Sequence, residues 1–224
     1  MDGLREFDIG QTTPPVGPTN TVSQTFFNED GTQLLTTVKG NPAVNTVGFF
    51  FSVPVKDGKV SMHGTQSSPA GTAVLFGATN IPGSSNVLVT DGSFGAAILS
   101  VSPSGTGTTA NILKIANQVA TCWATYSSAI GTGFVTDVGV NRLVEVIPST
   151  GALGRVFNSH NGNPGMVDLA PSGKFVYALS PGNQTVETAV AVFDVVTGGK
   201  ITEVQNFKVE GVGISSQGMV IPQG

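Results

Sequence analysis

A four-strand pattern recurs four times along this chain and constrains its fold more than any other feature of the sequence. The second strand is the clearest part of each copy, and the four versions read QLLTTVKG from Gln33, NVLVTDGS from Asn86, TGFVTDVG from Thr132 and KFVYALSP from Lys174. Each is followed by a loop, a third strand, a turn rich in Gly or Pro and a fourth strand. The copies lie roughly 40 to 55 residues apart, which is the length of one four-stranded propeller blade.

The repeat therefore predicts an all-β fold, a β-propeller of about four four-stranded blades in a single domain over residues 1–224. We expect blades near 22–68, 72–118, 120–160 and 164–208, and further end strands at 4–10 and 212–222. Residues between blades should be buried, namely Phe26, Phe50, Val74, Leu88, Leu99, Trp123, Phe134, Val144, Val167, Val176 and Val192.

Two other interpretations are open at this point. A β-sandwich also has turns at regular spacing, but it does not predict the same turn chemistry four times in phase. The segment ANILKIANQVA from Ala110 places its apolar residues at helical spacing, so a short helix is possible there.

Composition supports an all-β chain and excludes several classes of partner. Charged residues make up only 11% of the sequence and Gly contributes 30 of 224 residues, a bias towards short strands and tight turns. The net charge is −4 and the ten Lys and Arg residues are scattered singly, so no basic stripe could neutralise several phosphates. No apolar run is long enough for a membrane-spanning helix. We therefore expect neither nucleic acid nor a membrane as a partner.

Cysteine and histidine usage gives no sign of a metal or another cofactor. Cys122 is the single cysteine, so no internal disulfide can form, and its apolar neighbours predict a buried, inert thiol. No Cys/His cluster has zinc-site spacing. The acidic N-terminal stretch lacks the apolar region of a signal peptide, whereas the sequon at Asn183 would suit a secreted protein, which leaves the localisation open.

The last repeat carries a resemblance to a known family. Its segments LAPSGKFVYALSPGN, from Leu169, and VAVFDVVTGGKITEV, from Val190, resemble a blade of the lactonase-type seven-bladed propellers. That group contains bacterial 6-phosphogluconolactonase and fungal carboxymuconate lactonizing enzymes. The resemblance implies a small lactone or carbohydrate-derived ligand and hydrolase or isomerase chemistry.

Seven blades would need more than about 300 residues, so the resemblance also implies that N-terminal blades are absent here. Three arrangements are then possible: an open arc, a closed ring of fewer blades, or an arc completed by a second copy. Because exposed strand edges recruit partners, we expect self-association through the terminal edges.

In a propeller, the loops from second to third strand and the links between blades surround the mouth of the central channel. In this register they supply candidate catalytic residues, which are His160, Arg142, Asp137, Asp91 and Glu187, and candidate ligand-binding residues, which are Asn161, Asn163, Asn141 and Asn41. Converging acids with one Arg and one His could polarise a lactone carbonyl and activate water.

Structural roles are the alternative for each of these residues. Asp91 and Asp137 suit turns in which the carboxylate binds nearby backbone. Arg142 and Glu145 could form an exposed ion pair, and His160 could belong to a solvated loop. A calcium site built from Asp91, Asp137 and neighbouring Asn residues is a further possibility, although we expect no metal. If the acids, Arg142 and His160 do not converge, the alternative function is a non-catalytic binding or structural propeller.

Overall fold

The structure is a computed structural model that describes residues 3–12 and 14–221. It contains four antiparallel sheets, formed by consecutive segments of the chain, which are the blades of a β-propeller. Blade 1 comprises β1 (Val22–Phe27), β2 (Gln33–Val38), β3 (Phe49–Lys56), β4 (Lys59–Val60) and β5 (Thr65–Ser67), and blade 2 comprises β6 (Leu75–Asn80), β7 (Asn86–Asp91), β8 (Gly95–Val101) and β9 (Gly107–Lys114). Blade 3 comprises β10 (Thr121–Ser127), β11 (Thr132–Asp137), β12 (Arg142–Ile147) and β13 (Ala152–Asn158), and blade 4 comprises β14 (Asp168–Ser172), β15 (Phe175–Ser180), β16 (Ala189–Asp194) and β17 (Thr202–Lys208).

The strands in each of blades 2, 3 and 4 follow one another in chain order across the sheet. In blade 1 the short β4 extends a hairpin from the end of β3, and β5 pairs with β3 as the fourth strand of the blade. Short 3₁₀ turns lie at Pro42–Val44 and Thr197–Gly199. No helix within the described residues is long and apolar enough to cross a membrane.

The chain divides into two compact units. Unit 1 holds the described residues up to Ser93 together with Ala97–Ile112, which is most of blades 1 and 2. Unit 2 holds Phe94–Ala96 and the described residues from Leu113 onwards, which include blades 3 and 4. Within unit 1, β1 and β2 pack against β6; within unit 2, β10 and β11 pack against β14. The single domain that the sequence predicts stays a prediction.

Burial follows the position of each strand in its blade. The middle strands β7 and β11 are buried almost throughout, because blades stack face to face and cover both sides of a middle strand. The outer strand β17 is exposed along nearly its whole length. The core of unit 2 includes Phe134 and Phe193, which are fully buried. Burying one such aromatic ring contributes about 1.5–3 kcal/mol to the free energy of folding.

Most of the predicted core residues are buried, and the exceptions share one location. Phe50, Leu88, Leu99, Phe134, Val144, Val176 and Val192 are buried. Phe26, Val74, Trp123 and Val167 are only half-buried. These four lie in, or directly before, the first strand of a blade, the strand that lines the channel of a propeller and has no further sheet beside it.

The structure decides two local predictions. The segment from Ala110 begins in β9, a strand of alternating burial that ends at Lys114, and continues through a turn at 116–117, so it is not a helix. The predicted end strands are wrong for the described residues, since neither 4–10 nor 212–221 forms a strand; residue 222 lies outside the described residues. The N-terminal segment uses side chains for its contacts: Arg5 donates hydrogen bonds to the carbonyls of Val60 and Ser61, and Phe7 packs edge-on against Phe51. Self-association through the terminal regions stays a prediction.

Candidate functional site

Asp91 lies at the end of β7 and forms hydrogen bonds with the backbone that precedes β6, the first strand of its blade. Its side chain is fully buried. One carboxylate oxygen accepts hydrogen bonds from the backbone N–H groups of Ala73 and Val74, at 2.7 and 3.1 Å, and the other accepts from the N–H and Oγ of Ser93, at 2.9 and 2.5 Å. The carboxylate therefore ties the chain before β6 to the end of β7.

Asp137 occupies the corresponding position at the end of β11 and makes the same kind of contact. It accepts hydrogen bonds from the backbone N–H groups of Val119 and Ala120, which precede β10. It also pairs with Arg142 through Nη2 at 2.8 Å, and that Nη2 donates a second bond to the carbonyl of Ala116. Both side chains of the pair are buried, so the exposed Arg142–Glu145 pair considered from the sequence is not formed.

Three of the five predicted catalytic side chains, Asp91, Asp137 and Arg142, are therefore engaged in hydrogen bonds that hold the fold together. Arg142 Nε and Asn141 Oδ1 have no hydrogen-bond partner within the described chain, but both atoms are shielded from solvent, so a ligand in solution cannot reach them. The geometry favours the structural role for Asp91, Asp137 and Arg142, and a catalytic role for them stays a prediction.

Glu187 and Asn41 lie apart from these contacts. Glu187 is exposed in the loop between β15 and β16 and pairs with the equally exposed Lys208 at 2.7 Å. Asn41 precedes the 3₁₀ turn at Pro42–Val44 and caps it, because its Oδ1 accepts a hydrogen bond from the N–H of Ala43. Each is therefore held by its own local partner.

His160 is exposed and lines a shallow pocket of about 420 Å³ in unit 2. The pocket also includes Phe157, Asn161 and the stretch Glu203–Asn206 of β17. Glu203 accepts hydrogen bonds from Ser159 Oγ at 2.7 Å and from Asn161 Nδ2 at 2.8 Å. His160 thus lies in the same pocket as a fixed carboxylate, although that carboxylate, Glu203, is not one of the predicted acids.

The other three predicted asparagines, Asn141, Asn161 and Asn163, form hydrogen bonds that hold the link between blades 3 and 4. Asn141 donates to Asn161 Oδ1 at 3.2 Å, and Asn163 donates to Asn206 Oδ1 at 3.0 Å. With the Asn161–Glu203 bond, these contacts tie the link to the loop after β11 and to the outer strand β17. Their amide groups are largely used within the protein.

A second pocket, larger than the one that His160 lines, lies in unit 1 and is an open cleft of about 680 Å³. We call it the blade 1–2 cleft; it is lined by the turn between β1 and β2, by the turn between β6 and β7, and by the end of β8. Both turns join a first strand to a second strand, and Ser102 and Pro103, which also line the cleft, belong to the turn from third strand β8 to fourth strand β9. They therefore lie at the opposite ends of the strands from Asn41 and Asp91, which is why loops chosen from the other face did not include them.

The cleft has an apolar floor beneath polar amide groups. Leu35, Val87 and Val101 form the floor and are buried. Gln33 is 7% exposed, and its Nε2 donates hydrogen bonds to the carbonyls of Ser102 and Pro103, both at 3.1 Å. These two acceptors fix the orientation of the amide, and no donor among the described residues bonds to its Oε1.

Two further amides line the cleft with unused hydrogen-bonding atoms. Asn80 Nδ2 donates to the carbonyl of Phe27 at 2.9 Å, and Asn86 Oδ1 accepts from Ser100 Oγ at 2.7 Å. Within the described chain no hydrogen bond involves Asn80 Oδ1 or Asn86 Nδ2. The cleft therefore presents amide acceptors and an amide donor beside an apolar surface.

The charge of the cleft is negative. Glu29 and Asp30 lie on its rim, and Glu29 Oε2 accepts a hydrogen bond from the N–H of Gly83 at 2.8 Å. Hydrogen bonds from the hydroxyl and the N–H of Thr32 lower the pKa of Asp30, so it stays ionised at neutral pH. No Lys, Arg or His is among the lining residues that the structure describes. No group of three His, Cys, Asp or Glu in the described chain is placed to hold a metal ion.

The sequence does contain a signal for this cleft, in the form of polar turns at equivalent positions. NEDGT from Asn28 and PGSSN from Pro82 each connect the first and second strands of neighbouring blades. Because neighbouring blades place equivalent turns side by side, two polar turns in phase indicate a shared polar groove.

Comparison with known proteins identifies the fold and no family. No protein-family model and no curated protein sequence matches the chain. Among solved structures, the chain is similar to hydrazine synthase of Kuenenia stuttgartiensis, with a TM-score of 0.63, 14% identity and coverage of 83% of this chain and 48% of that one. It is similar to a candidate 6-phosphogluconolactonase from Bacteroides uniformis, with a TM-score of 0.61, 15% identity and coverage of 84% and 56%.

A third similar structure is the periplasmic gluconolactonase of Pseudomonas aeruginosa, with a TM-score of 0.54, 12% identity and coverage of 88% of this chain and 75% of that one. The chain spans about half the length of the first two structures. At such low identity the likeness concerns the fold alone, and the named proteins differ in activity. The four sheets and these matches together show a β-propeller with a lactonase-like fold.

Proposed function

We propose that this protein is a binding propeller that takes up a small molecule in the blade 1–2 cleft. The observation that carries the proposal is Gln33, a side chain more than nine-tenths buried whose amide is fixed by two backbone carbonyls while its Oε1 keeps an unused acceptor in the lining of the cleft. A cleft of about 680 Å³ with an apolar floor and a few fixed polar groups has the size and character of small-molecule sites.

The scaffold contacts of the predicted acids support binding over catalysis. A general base must come within hydrogen-bond reach of the proton it removes, directly or through one water. Asp91 and Asp137 are fully buried and bonded to backbone amides, and Glu187 is paired with Lys208 on the surface. None of the three carboxylates could act as a general base on a lactone without breaking its present contacts.

Lactone hydrolysis at the His160 pocket is the second candidate, favoured by the common lining of His160 and Glu203. In that reaction His160 would take a proton from water as the water oxygen bonds to the lactone carbonyl carbon. The ring C–O bond would then break, and the proton would pass to the departing ring oxygen to give a hydroxy acid. Imidazole is the side chain that most often makes such proton transfers in enzymes.

Saturation-transfer NMR on the full chain tests the binding proposal. The probes are a panel of sugars, polyols, sugar phosphates, amino acids and nucleosides. Ser85 is exposed and lines the cleft, so Ser85→Trp should fill the cleft and abolish binding, whereas Ser128→Trp, at an exposed position in unit 2, should not. A panel without any binder, or binding unchanged by Ser85→Trp, would overturn the proposal.

The same preparation separates the two candidate functions. Acid release from glucono-1,5-lactone is followed at constant pH, with the spontaneous rate subtracted. The binding proposal expects no rate above the spontaneous one. A faster rate that His160→Ala abolishes and Ser85→Trp leaves intact would establish hydrolysis at the His160 pocket instead.

A further inference from the structure

We propose that the blade 1–2 cleft selects a neutral polyhydroxylated ligand, a monosaccharide or polyol without phosphate or carboxylate. This inference rests on the proposed function and names the chemical class of its ligand. It follows from three features of the cleft: the hydrogen-bonding groups that are left unused, the apolar floor and the sign of the charge.

The unused groups match hydroxyls. Gln33 Oε1 and Asn80 Oδ1 can accept hydrogen bonds, while Asn86 Nδ2 can donate them, and none of these atoms has a partner in the described chain. A sugar hydroxyl both donates and accepts, so adjacent hydroxyls can satisfy such a mixed set. A ligand with acceptors alone could bond to Asn86 Nδ2 but to neither of the two amide oxygens.

The floor matches the carbon face of a sugar ring. Of the three apolar residues that line the floor, Val101 is 7% exposed, Val87 is 2% exposed and Leu35 is fully buried, so the apolar surface offered to a ligand is small. A pyranose ring carries C–H groups on its faces and hydroxyls around its edge. It can therefore place carbon over this floor while its hydroxyls reach the amide groups at the sides.

The charge excludes anions. Glu29 and Asp30 bring two negative charges to the rim, and no cation among the described lining residues compensates them. Asp30 is ionised at neutral pH, since hydrogen bonds from Thr32 hold its pKa below the ordinary value of 3.8. A phosphate or carboxylate on the ligand would meet like charge without an Arg or Lys to bind it, and sites that recognise phosphate use such cations. The two carboxylates still accept hydrogen bonds from neutral hydroxyls.

Matched ligand pairs test the selection by NMR titration of the full chain at low salt. D-glucose is compared with D-glucose 6-phosphate, which adds a phosphate, and sorbitol with gluconate, which has the same carbon chain and nearly the same size but carries a carboxylate. We expect each neutral member to bind at least tenfold more tightly than its anionic partner. The difference should shrink at 0.5 M salt, which screens the rim carboxylates.

Variants locate the selection in the cleft. Glu29→Gln with Asp30→Asn keeps the size of both side chains and should reduce the preference to about threefold or less. Asp57→Asn removes one exposed negative charge from another turn of unit 1 and should leave the preference unchanged. Gln33→Met removes the fixed acceptor and should weaken D-glucose binding about tenfold. Asn86→Asp keeps the acceptor for Ser100 Oγ but removes the donor Nδ2, so it should also weaken D-glucose binding. This variant replaces Gln33→Met as the test if Gln33→Met does not fold.

The outcomes distinguish the inference about the ligand class from the proposal that the blade 1–2 cleft binds a small molecule. Equal or tighter binding of the anionic member, or a preference unchanged in the Glu29/Asp30 variant, would overturn the polyol inference while the cleft stays a binding site. Binding of an amino acid or nucleoside that Ser85→Trp abolishes, with no binding of glucose or sorbitol, would do the same. If Ser85→Trp alters the binding of no ligand, the proposed function itself fails.

Discussion

The polar side chains around Asp137 in unit 2 and those of the blade 1–2 cleft in unit 1 are similar in kind and differ in their unused hydrogen-bonding capacity. Asp137 accepts from two backbone amides and from Arg142 and is fully buried. Gln33 is almost as buried, yet it keeps one acceptor without a partner in the described chain. Residue type alone does not separate these two regions.

The difference shows where binding capacity can reside. A buried carboxylate saturated by its own scaffold stabilises the fold, and recruiting it for a ligand would mean breaking several hydrogen bonds. A fixed amide with one unused atom can accept a hydrogen bond from a ligand without breaking any bond within the protein. Substitutions in both regions test whether Asp137 is structural and whether the cleft is open to a ligand.

The largest effect should come from Asp137→Ala. The change leaves the buried Arg142 without its counter-ion and removes the acceptor for the amides of Val119 and Ala120. We expect a loss of about 3–5 kcal/mol in the free energy of unfolding. Urea unfolding followed by the fluorescence of Trp123, which lies in β10 of the same blade, measures it. Glu187→Ala is the control and should leave the urea midpoint unchanged; a comparably small shift for Asp137→Ala would contradict its structural role.

A smaller, pH-dependent effect is expected at Glu145. Burial alone would raise its pKa, but hydrogen bonds from Arg155 and Thr132 outweigh burial and hold the pKa below its usual value of 4.5. The folded chain therefore holds this proton less tightly than the unfolded chain. Its contribution is complete above pH 4.5 and is lost as the pH falls through the folded pKa.

Glu145→Gln tests this contribution. It should lower the stability by about 1–3 kcal/mol at pH 7, because a charge-assisted pair is lost, and by less at acid pH. Urea midpoints measured between pH 7 and pH 3 provide the comparison. An acid decline as steep as that of the parent chain would show that another group is responsible.

Asp168 should have the opposite dependence on pH. Burial raises its pKa by more than hydrogen bonds from the N–H groups of Met219 and Leu169 lower it. The folded chain therefore binds this proton more tightly, so this group gains stability as the pH falls and loses it as the pH rises through the raised pKa. Asp168→Asn should remove that gain, so the melting temperature of this variant should fall more steeply with acid than that of the parent chain. Asp57→Asn, at an exposed position, is the control. An unchanged decline would contradict the assignment.

The smallest effect on stability should come from filling the open cleft. Ser85 is exposed and no hydrogen bond involving its side chain is found within the described residues, so Ser85→Trp should change the free energy of unfolding by no more than about 0.5 kcal/mol. Thermal unfolding followed by far-ultraviolet circular dichroism measures it. A loss of several kcal/mol would mean that the cleft is part of the packed core.

The repeat was enough to predict the blades, because each copy carries its own strands and turns within one short segment. The strands observed from Val22 to Ser67, Leu75 to Lys114, Thr121 to Asn158 and Asp168 to Lys208 lie within the predicted blade intervals. The end strands failed for a related reason: pairing at 4–10 needs a neighbour, and the observed contacts of Arg5 and Phe7 are made by side chains instead.

Local sequence thus determined that the chain forms about four four-stranded blades in chain order, since hydrophobic alternation and turn chemistry act over a few residues. Tertiary structure alone decided which polar groups form hydrogen bonds within the protein and which keep an unused donor or acceptor. Asp137 is occupied by Arg142 and by amides some 17 residues away, and Gln33 meets carbonyls some 70 residues away. Hydrogen-bond partners at such separations are brought together only by the packing of strands and blades, so no local pattern could distinguish the saturated carboxylate from the open amide.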